Sequence, residues 1–290
     1  MEIRVFSPAS FPARRKSWLD SLGLAYYSEL PSEAFAGFSR SDKERAVELD
    51  NILSDEVLAM ASRGGYGCQR MLPYIQVPNE IKAKLCGFSD LTVLLNHLYQ
   101  KYDASCFHGP MMQWPNETQT SSLLWQSFRN IILNNSSFEC IFRGQFLNCE
   151  ALSGSIIGGN LSVICASLGT PYAPKLSGKL LLLEEINEPT YKIDRMLDQL
   201  SKQSDFINIR GMLFGSFRNC NVSPNDSGDL NVDELIRDFC LRHKIPAVTG
   251  LPVGHLEDFV CFKIGSHVSF EALGDSQIHW RLEGQNESSR

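Results

Sequence analysis

Nowhere does the 290-residue sequence hold an apolar run approaching the roughly 20 residues of a membrane-spanning helix, so no membrane partner is expected. The opening "MEIRVFSPASF" is interrupted by Arg4 and Pro8, too short and too polar for a secretory signal or an anchor. Basic residues are in the minority, 27 against 33 acidic, and no Lys/Arg stripe gathers them, which excludes nucleic acid as a partner. The densest basic cluster, "ARRK" at 13 to 16, opens a helical pattern through Trp18, Leu19 and Leu22 and reads as a solvated face. The nine cysteines never form a C-x-x-C pair, so neither a zinc site nor a disulfide framework is expected. They read as small buried hydrophobes in a reducing compartment, the cytoplasm. No internal repeat is present, and "RGGYGCQR" (63 to 70) matches neither G-x-G-x-x-G nor the P-loop, which leaves little basis for a nucleotide site.

What remains is an ordinary globular composition, 43% apolar and 21% charged, long enough for two domains. Short apolar runs ending in Gly, Ser or Asn alternate with segments of helical period, the pattern of α/β folding around a mainly parallel sheet. "EIRVFSP", "EVLAMAS" and "IKAKLCGF" read as strands. "SWLDSLG" reads as a helix stopped by Gly23, "SDKERAVELDNILSD" as one capped by Ser41 or Asp42, and "LTVLLNHLYQKY" as one with Leu91, Leu94, Leu95 and Leu98 on a single face. Between about 113 and 155 the alternation loosens, with a loop-like "MQWPNETQTSS", a helical "LLWQSFRNIIL" and a strand-like "FECIFRGQF". A boundary at 148/149 follows, separating domains 1–148 and 149–290. The second continues with the strand "GKLLLLEE", a helix bearing Ile193, Met196, Leu197 and Leu200, the strand "INIRGMLFGSF", the helix "VDELIRDFCLRH", the strand "IPAVTG" and a β-rich finish. "EGQNESSR" reads as a frayed end.

In "KLCGFSDLTVL", Ser89 and Asp90 stand at a strand-to-helix junction, where both residue types serve as N-caps. The same geometry lifts a side chain above the carboxyl edge of a sheet, as in a nucleophile elbow, although the second glycine of G-x-S-x-G is lacking. A nucleophilic serine needs a histidine base and a carboxylate to orient it. Of the six histidines, His97 falls within the Leu-rich helix and His243 at a helix end, while His267 and His279 lie in the β-rich finish. His108, after "ASCF", could face a cleft, and His255 follows a buried strand in a Gly/Pro-shaped loop, where α/β sites collect. "LLLLEEINEP" offers Glu184, Glu185 and Glu188, and the residues alone leave the choice among them open, with Glu184 the one still on the strand. The glycines of "RGGYG" could aim backbone N–H groups at an oxyanion or simply shape a βα turn.

Taken together, "RGGYGCQRMLP", "GFSDLTVL", "FHGPMM", "GGNLSVICASLGTPY", "LLLEEINEPTYKIDRMLDQL" and "TGLPVGH" follow one another as in the LD-carboxypeptidases, a family of serine peptidases that the chain resembles from about Phe6 to about His255. The resemblance implies a Rossmann-like or flavodoxin-like amino-terminal domain and a smaller β-rich α/β carboxyl-terminal domain. It implies Ser89 as nucleophile, His255 as base, Glu184 as orienting carboxylate, and backbone N–H groups of Asp90 and of Gly64 or Gly65 as oxyanion donors. Neither metal nor cofactor is implied. The implied substrate is the murein tetrapeptide, cut between meso-diaminopimelate and the terminal D-alanine during cell-wall recycling. Arg63 and Asn160, beside the matched motifs, are expected substrate contacts, with a surface ion pair as the alternative for Arg63. A homodimer is an admissible assembly. The stretch before "AGFSRSDKER" is shorter than is usual in the family, and "FSPAS" replaces a more typical "APS" opening, which bears on the shape of the cleft. Two other activities fit the same motifs: a microcin C immunity-type peptidase acting on aminoacyl or peptidyl nucleotides, and a non-catalytic muropeptide-binding protein.

Overall fold

The computed structural model describes residues 1–13, 17–115, 119–220 and 231–284. Three residues of the basic cluster, 14–16, and all but two of the expected frayed end lie outside them. Six strands build the first sheet: β1 (Glu2–Phe6), β2 (Tyr27–Ser28), β3 (Val57–Ala61), β4 (Lys84–Gly87), β5 (Cys106–His108) and, from far along the chain, β12 (Phe262–Lys263). Their order is β2-β1-β3-β4-β5-β12, parallel except for β12, which runs antiparallel to β5. The 2-1-3-4-5 order is that of a flavodoxin-like fold, whose ligand crevice opens outside the carboxyl ends of β1 and β3, where the winding direction reverses. All five residues of β3 are buried, so it reads as a continuous apolar run rather than an alternation, as a strand covered on both faces must.

Eight strands build the second sheet: β6 (Phe138–Arg143), β7 (Gln145–Leu147), β8 (Ala151–Asn160), β9 (Leu180–Ile186), β10 (Gly211–Arg218), β11 (Ala247–Thr249), β13 (His267–Gly274) and β14 (Gln277–Leu282). Its order is β6-β14-β13-β8-β9-β10-β11-β7, with the β8 to β11 centre parallel and both flanks antiparallel. The sheet expected in the smaller domain thus has the more strands. β6 and β7, which precede residue 148, belong to it, and β12, which follows 149, belongs to the first sheet.

Among the described residues the α-helices are α1 (Trp18–Ser21), α2 (Asp42–Leu53), α3 (Cys68–Met71), α4 (Thr92–Tyr102), α5 (Leu123–Ser127), α6 (Leu161–Ser167), α7 (Thr190–Ser201) and α8 (Val232–His243). Ser41 caps α2 in a reciprocal pair with Glu44. The helical "LLWQSFRNIIL" widens after α5 into a π-helical turn over Phe128–Leu133. At the join, the Ser127 hydroxyl donates to the Leu123 carbonyl and accepts the Cys261 N–H, a side-chain bond of the kind that distorts helices. Asn96 on α4 and Gly158 on β8 exchange two hydrogen bonds, of 2.9 and 3.0 Å, and the buried apolar side chains of both sheets form one continuous core. Among the described residues no helix is long and apolar enough to cross a membrane, and the cysteines are free thiols.

Candidate active site

β4 ends at Gly87, Phe88 stays extended, and Ser89 then takes φ +63° before a 3₁₀ turn leads into α4. A left-handed φ at a non-glycine residue costs about 1–3 kcal/mol and persists only where the surroundings enforce it. The Ser89 side chain caps nothing: the N-cap position belongs to Phe88, which makes no side-chain capping bond. Instead, half-buried, its Oγ lies 3.2 Å from His255 Nε2, while His255 Nδ1 lies 2.7 Å from Glu184 Oε2. Glu184 is fully buried and His255 nearly so. With a carboxylate on Nδ1, the ring carries its proton there and turns the Nε2 lone pair toward the serine hydroxyl.

Period-two alternation decides among the acidic residues. Glu184 points from β9 to the imidazole, whereas Glu185 points to the opposite face, where it accepts hydrogen bonds from Asn160 Nδ2 and the Ser162 N–H at the start of α6. Burial raises the Glu185 pKa against the opposing pull of those bonds. Glu188 pairs with Lys192 at 3.0 Å. The loop bearing His255 is stitched to β10 by Ser216 N–H to the Val253 carbonyl and Leu251 N–H to the Phe214 carbonyl. Within it Gly254 has φ +111°, and a Cβ there would stand 2.7 Å from both Glu184 Oε2 and Ser216 Oγ; only glycine lets the loop pass so near the carboxylate.

The turn after β3 closes on the serine from the other side. A Cβ on Gly64 would stand 2.9 Å from Ser89 Cβ and 3.6 Å from the Asp90 amide nitrogen, so Gly64 is the glycine beside Ser89. Gly65 stands instead against Ser10, whose Oγ accepts the Tyr66 N–H. The Asp90 side chain, buried and with its pKa raised chiefly by that burial, accepts the Cys68 N–H at 2.8 Å and fastens this turn to the strand–helix junction. A residue that sequence reasoning missed completes the frame: Arg45, fully buried on α2, donates to the Pro8 and Gly67 carbonyls and pairs with Asp42. An arginine inside an acidic, amphipathic helix gives no sign that it will turn inward.

Arg63 is half-buried at this crevice and donates to the Phe11 carbonyl at 3.3 Å. Asn160 is placed differently from the expectation of a cleft contact: it is buried, caps α6 through the Val163 N–H and holds Glu185. The other histidines stand apart from the serine. His97 packs edge-on to Tyr102 and Tyr172, His243 lies against Phe239, and His267 and His279 pair with Glu283 and Glu139.

His108 lies behind the site, not in it, stacked 5.0 Å from Phe262 and separated from His255 by Phe88, which touches both rings. Burial pushes its pKa down to about 4, outweighing the opposite pull of Glu184. Because an exposed histidine titrates near 6.5, this neutral ring contributes stability that is complete above about pH 6.5 and lost as pH falls toward 4, at up to about 1.4 kcal/mol per pH unit. His108→Phe should flatten that part of the curve in urea unfolding between pH 4 and 7. An unchanged slope would place the acid sensitivity elsewhere.

A hydroxyl, an imidazole and a buried carboxylate in line, at the carboxyl ends of a flavodoxin-like sheet and beside a glycine turn, have the geometry that activates a serine for acyl transfer. The chain belongs to the LD-carboxypeptidase family, a family of peptidases: the LD-carboxypeptidase N-terminal domain is matched at residues 3–109 and the C-terminal domain at residues 153–270. It is 29% identical over 298 residues to the probable murein peptide carboxypeptidase of Bacillus subtilis (strain 168), covering 95% of this chain and 90% of that one. Its fold matches that of the muramoyltetrapeptide carboxypeptidase from Oxalobacter formigenes with a TM-score of 0.83 at 24% identity, over 97% and 99% of the two chains. It matches the microcin C7 self immunity protein MccF with the same TM-score at 18% identity, over 98% and 96%.

Proposed function

We propose that this peptidase is a serine LD-carboxypeptidase that removes the terminal D-alanine from murein tetrapeptide, cutting the bond after meso-diaminopimelate during cell-wall recycling. The observation that carries this is the line Ser89–His255–Glu184, with separations of 3.2 and 2.7 Å, at the crevice where the first sheet reverses its winding. The naming of the Bacillus relative supports the murein peptide as substrate.

His255 Nε2 takes the Ser89 proton as Oγ attacks the scissile carbonyl, and Glu184 stabilises the imidazolium that forms. In this reading the oxyanion rests on the backbone N–H groups of Asp90 and Gly64, the glycine whose Cβ would meet Ser89. His255 then delivers its proton to the departing D-alanine nitrogen, leaving an ester on Ser89. Water, deprotonated by His255, attacks that ester and restores the hydroxyl. Arg63 is offered as a contact for one of the peptide's other carboxylates. In this reading the chain works as two units, 1–148 supplying the nucleophile and 149–290 the base and its carboxylate.

The test is mass spectrometry of products after incubation with L-Ala-γ-D-Glu-meso-Dap-D-Ala. Release of D-alanine and of the tripeptide is expected, and an intact tetrapeptide would overturn the reading. Equal structural likeness to MccF supports a second one, action on an aminoacyl nucleotide. Hydrolysis of an aminoacyl sulfamoyl adenylate with no turnover of the tetrapeptide would decide for it.

A further inference from the structure

We infer that Arg218 anchors the terminal carboxylate of the substrate and so makes the enzyme a carboxypeptidase rather than an endopeptidase; this rests on the tetrapeptide reading above. In serine acyl transfer the base lies between the nucleophile and the leaving nitrogen, because it hands its proton from one to the other. The leaving group here is a single D-alanine, whose carboxylate stands one carbon away from that nitrogen. Its charge therefore falls within a few ångströms of the His255 imidazole, in a site where a carboxylate needs a cation with well-placed donors.

Two arginines border the crevice. Arg63 belongs to the turn beside the oxyanion donors, adjacent to Gly64. Arg218 belongs to the side of the base: at the end of β10, its Nη1 donates to the His255 backbone carbonyl at 3.1 Å, and its guanidinium carbon lies 5.9 Å from the centre of the Trp114 ring. Trp114 is itself fixed by an indole N–H bond of 3.0 Å to the Leu256 carbonyl, and its ring stands 6.3 Å from that of His255. The guanidinium is thus held from two directions, and among the described residues it meets no carboxylate. With Nη1 engaged, the edge formed by Nε and Nη2 remains, the pair of parallel donors that grips a carboxylate in bidentate fashion. Arg218 is exposed, which suits a group that must admit and release a charged product.

The experiment compares the tetrapeptide acid with its C-terminal D-alaninamide in the wild type, Arg218→Met and Arg218→Lys, and follows labelling of Ser89 by a fluorophosphonate as a measure of the triad alone. The wild type is expected to prefer the acid. Arg218→Met should lose about 10- to 100-fold in kcat/KM on the acid, mainly through KM, and less than about threefold on the amide, with labelling retained. Arg218→Lys should recover part of the loss, as a point charge lacking the fork. An acid-to-amide ratio unchanged in Arg218→Met would overturn the assignment. Equal losses on both peptides together with slowed labelling would also overturn it, reducing Arg218 to a support for the His255 loop. A wild type that labels normally yet releases neither D-alanine from the acid nor D-alaninamide from the amide would overturn the substrate reading, and this inference with it.

Discussion

Ser89→Ala is expected to lower kcat on the tetrapeptide by about 10⁴-fold or more while leaving the thermal midpoint nearly unmoved, because members of a triad act as a unit. The second half of that expectation comes from the structure. The hydroxyl makes one hydrogen bond, to His255 Nε2, and caps no helix, so its removal deletes chemistry and little packing. Alanine keeps the same backbone penalty at φ +63°, so the strain is neither added to nor relieved. Steady-state kinetics beside a melting curve check both parts. Near-normal turnover would remove Ser89 from the nucleophile's role, whereas a collapsed melt would mean that the hydroxyl holds the junction together.

Glu184→Gln should cost about 10⁴-fold in kcat, comparable to the loss of the serine itself, although the shapes of the two side chains are nearly the same. The carboxylate does two things that an amide cannot: it accepts from Nδ1 in one fixed tautomer, and it balances the imidazolium charge in a buried place. Its neighbour provides the control. Glu185→Gln alters the opposite face of the same strand, where the carboxylate receives the Ser162 N–H and Asn160, so stability should fall by about 1–3 kcal/mol with activity per folded molecule largely kept. Measured side by side, the two variants separate electrostatics at the base from support of α6. If Glu184→Gln turns over normally, or if Glu185→Gln is folded and equally inactive, the assignment of carboxylates is reversed.

Much of this was legible in the chain. The alternation of buried runs with helical periods foretold the parallel strands of both sheets, since β3 and the four leucines that open β9 are apolar for the physical reason that both faces are covered. Ser89 and His255 stood out because strand ends and Gly-shaped loops are where α/β folds collect chemistry. Local pattern could not tell which face of β9 meets the imidazole: Glu184 and Glu185 are adjacent, and only tertiary packing gives one to the base and the other to α6. Asn160 was read toward the cleft because it adjoins a matched motif, yet its side chain is taken up by an N-cap. Arg45 and Ser10 were invisible because, Asp42 beside Arg45 apart, their partners are backbone carbonyls and amides, which every residue possesses. The two-residue β12 carries no periodicity at all.

That short strand bears on how the molecule is made. Phe262 and Lys263 border the first sheet next to His108 and Phe107, so this sheet acquires its last edge only when translation has passed the histidine loop. A nascent chain halted before that point carries Ser89 on an unfinished scaffold, with no imidazole beside its hydroxyl. Biosynthesis itself thus keeps Ser89 apart from its histidine partner until the loop that carries His255 has left the ribosome.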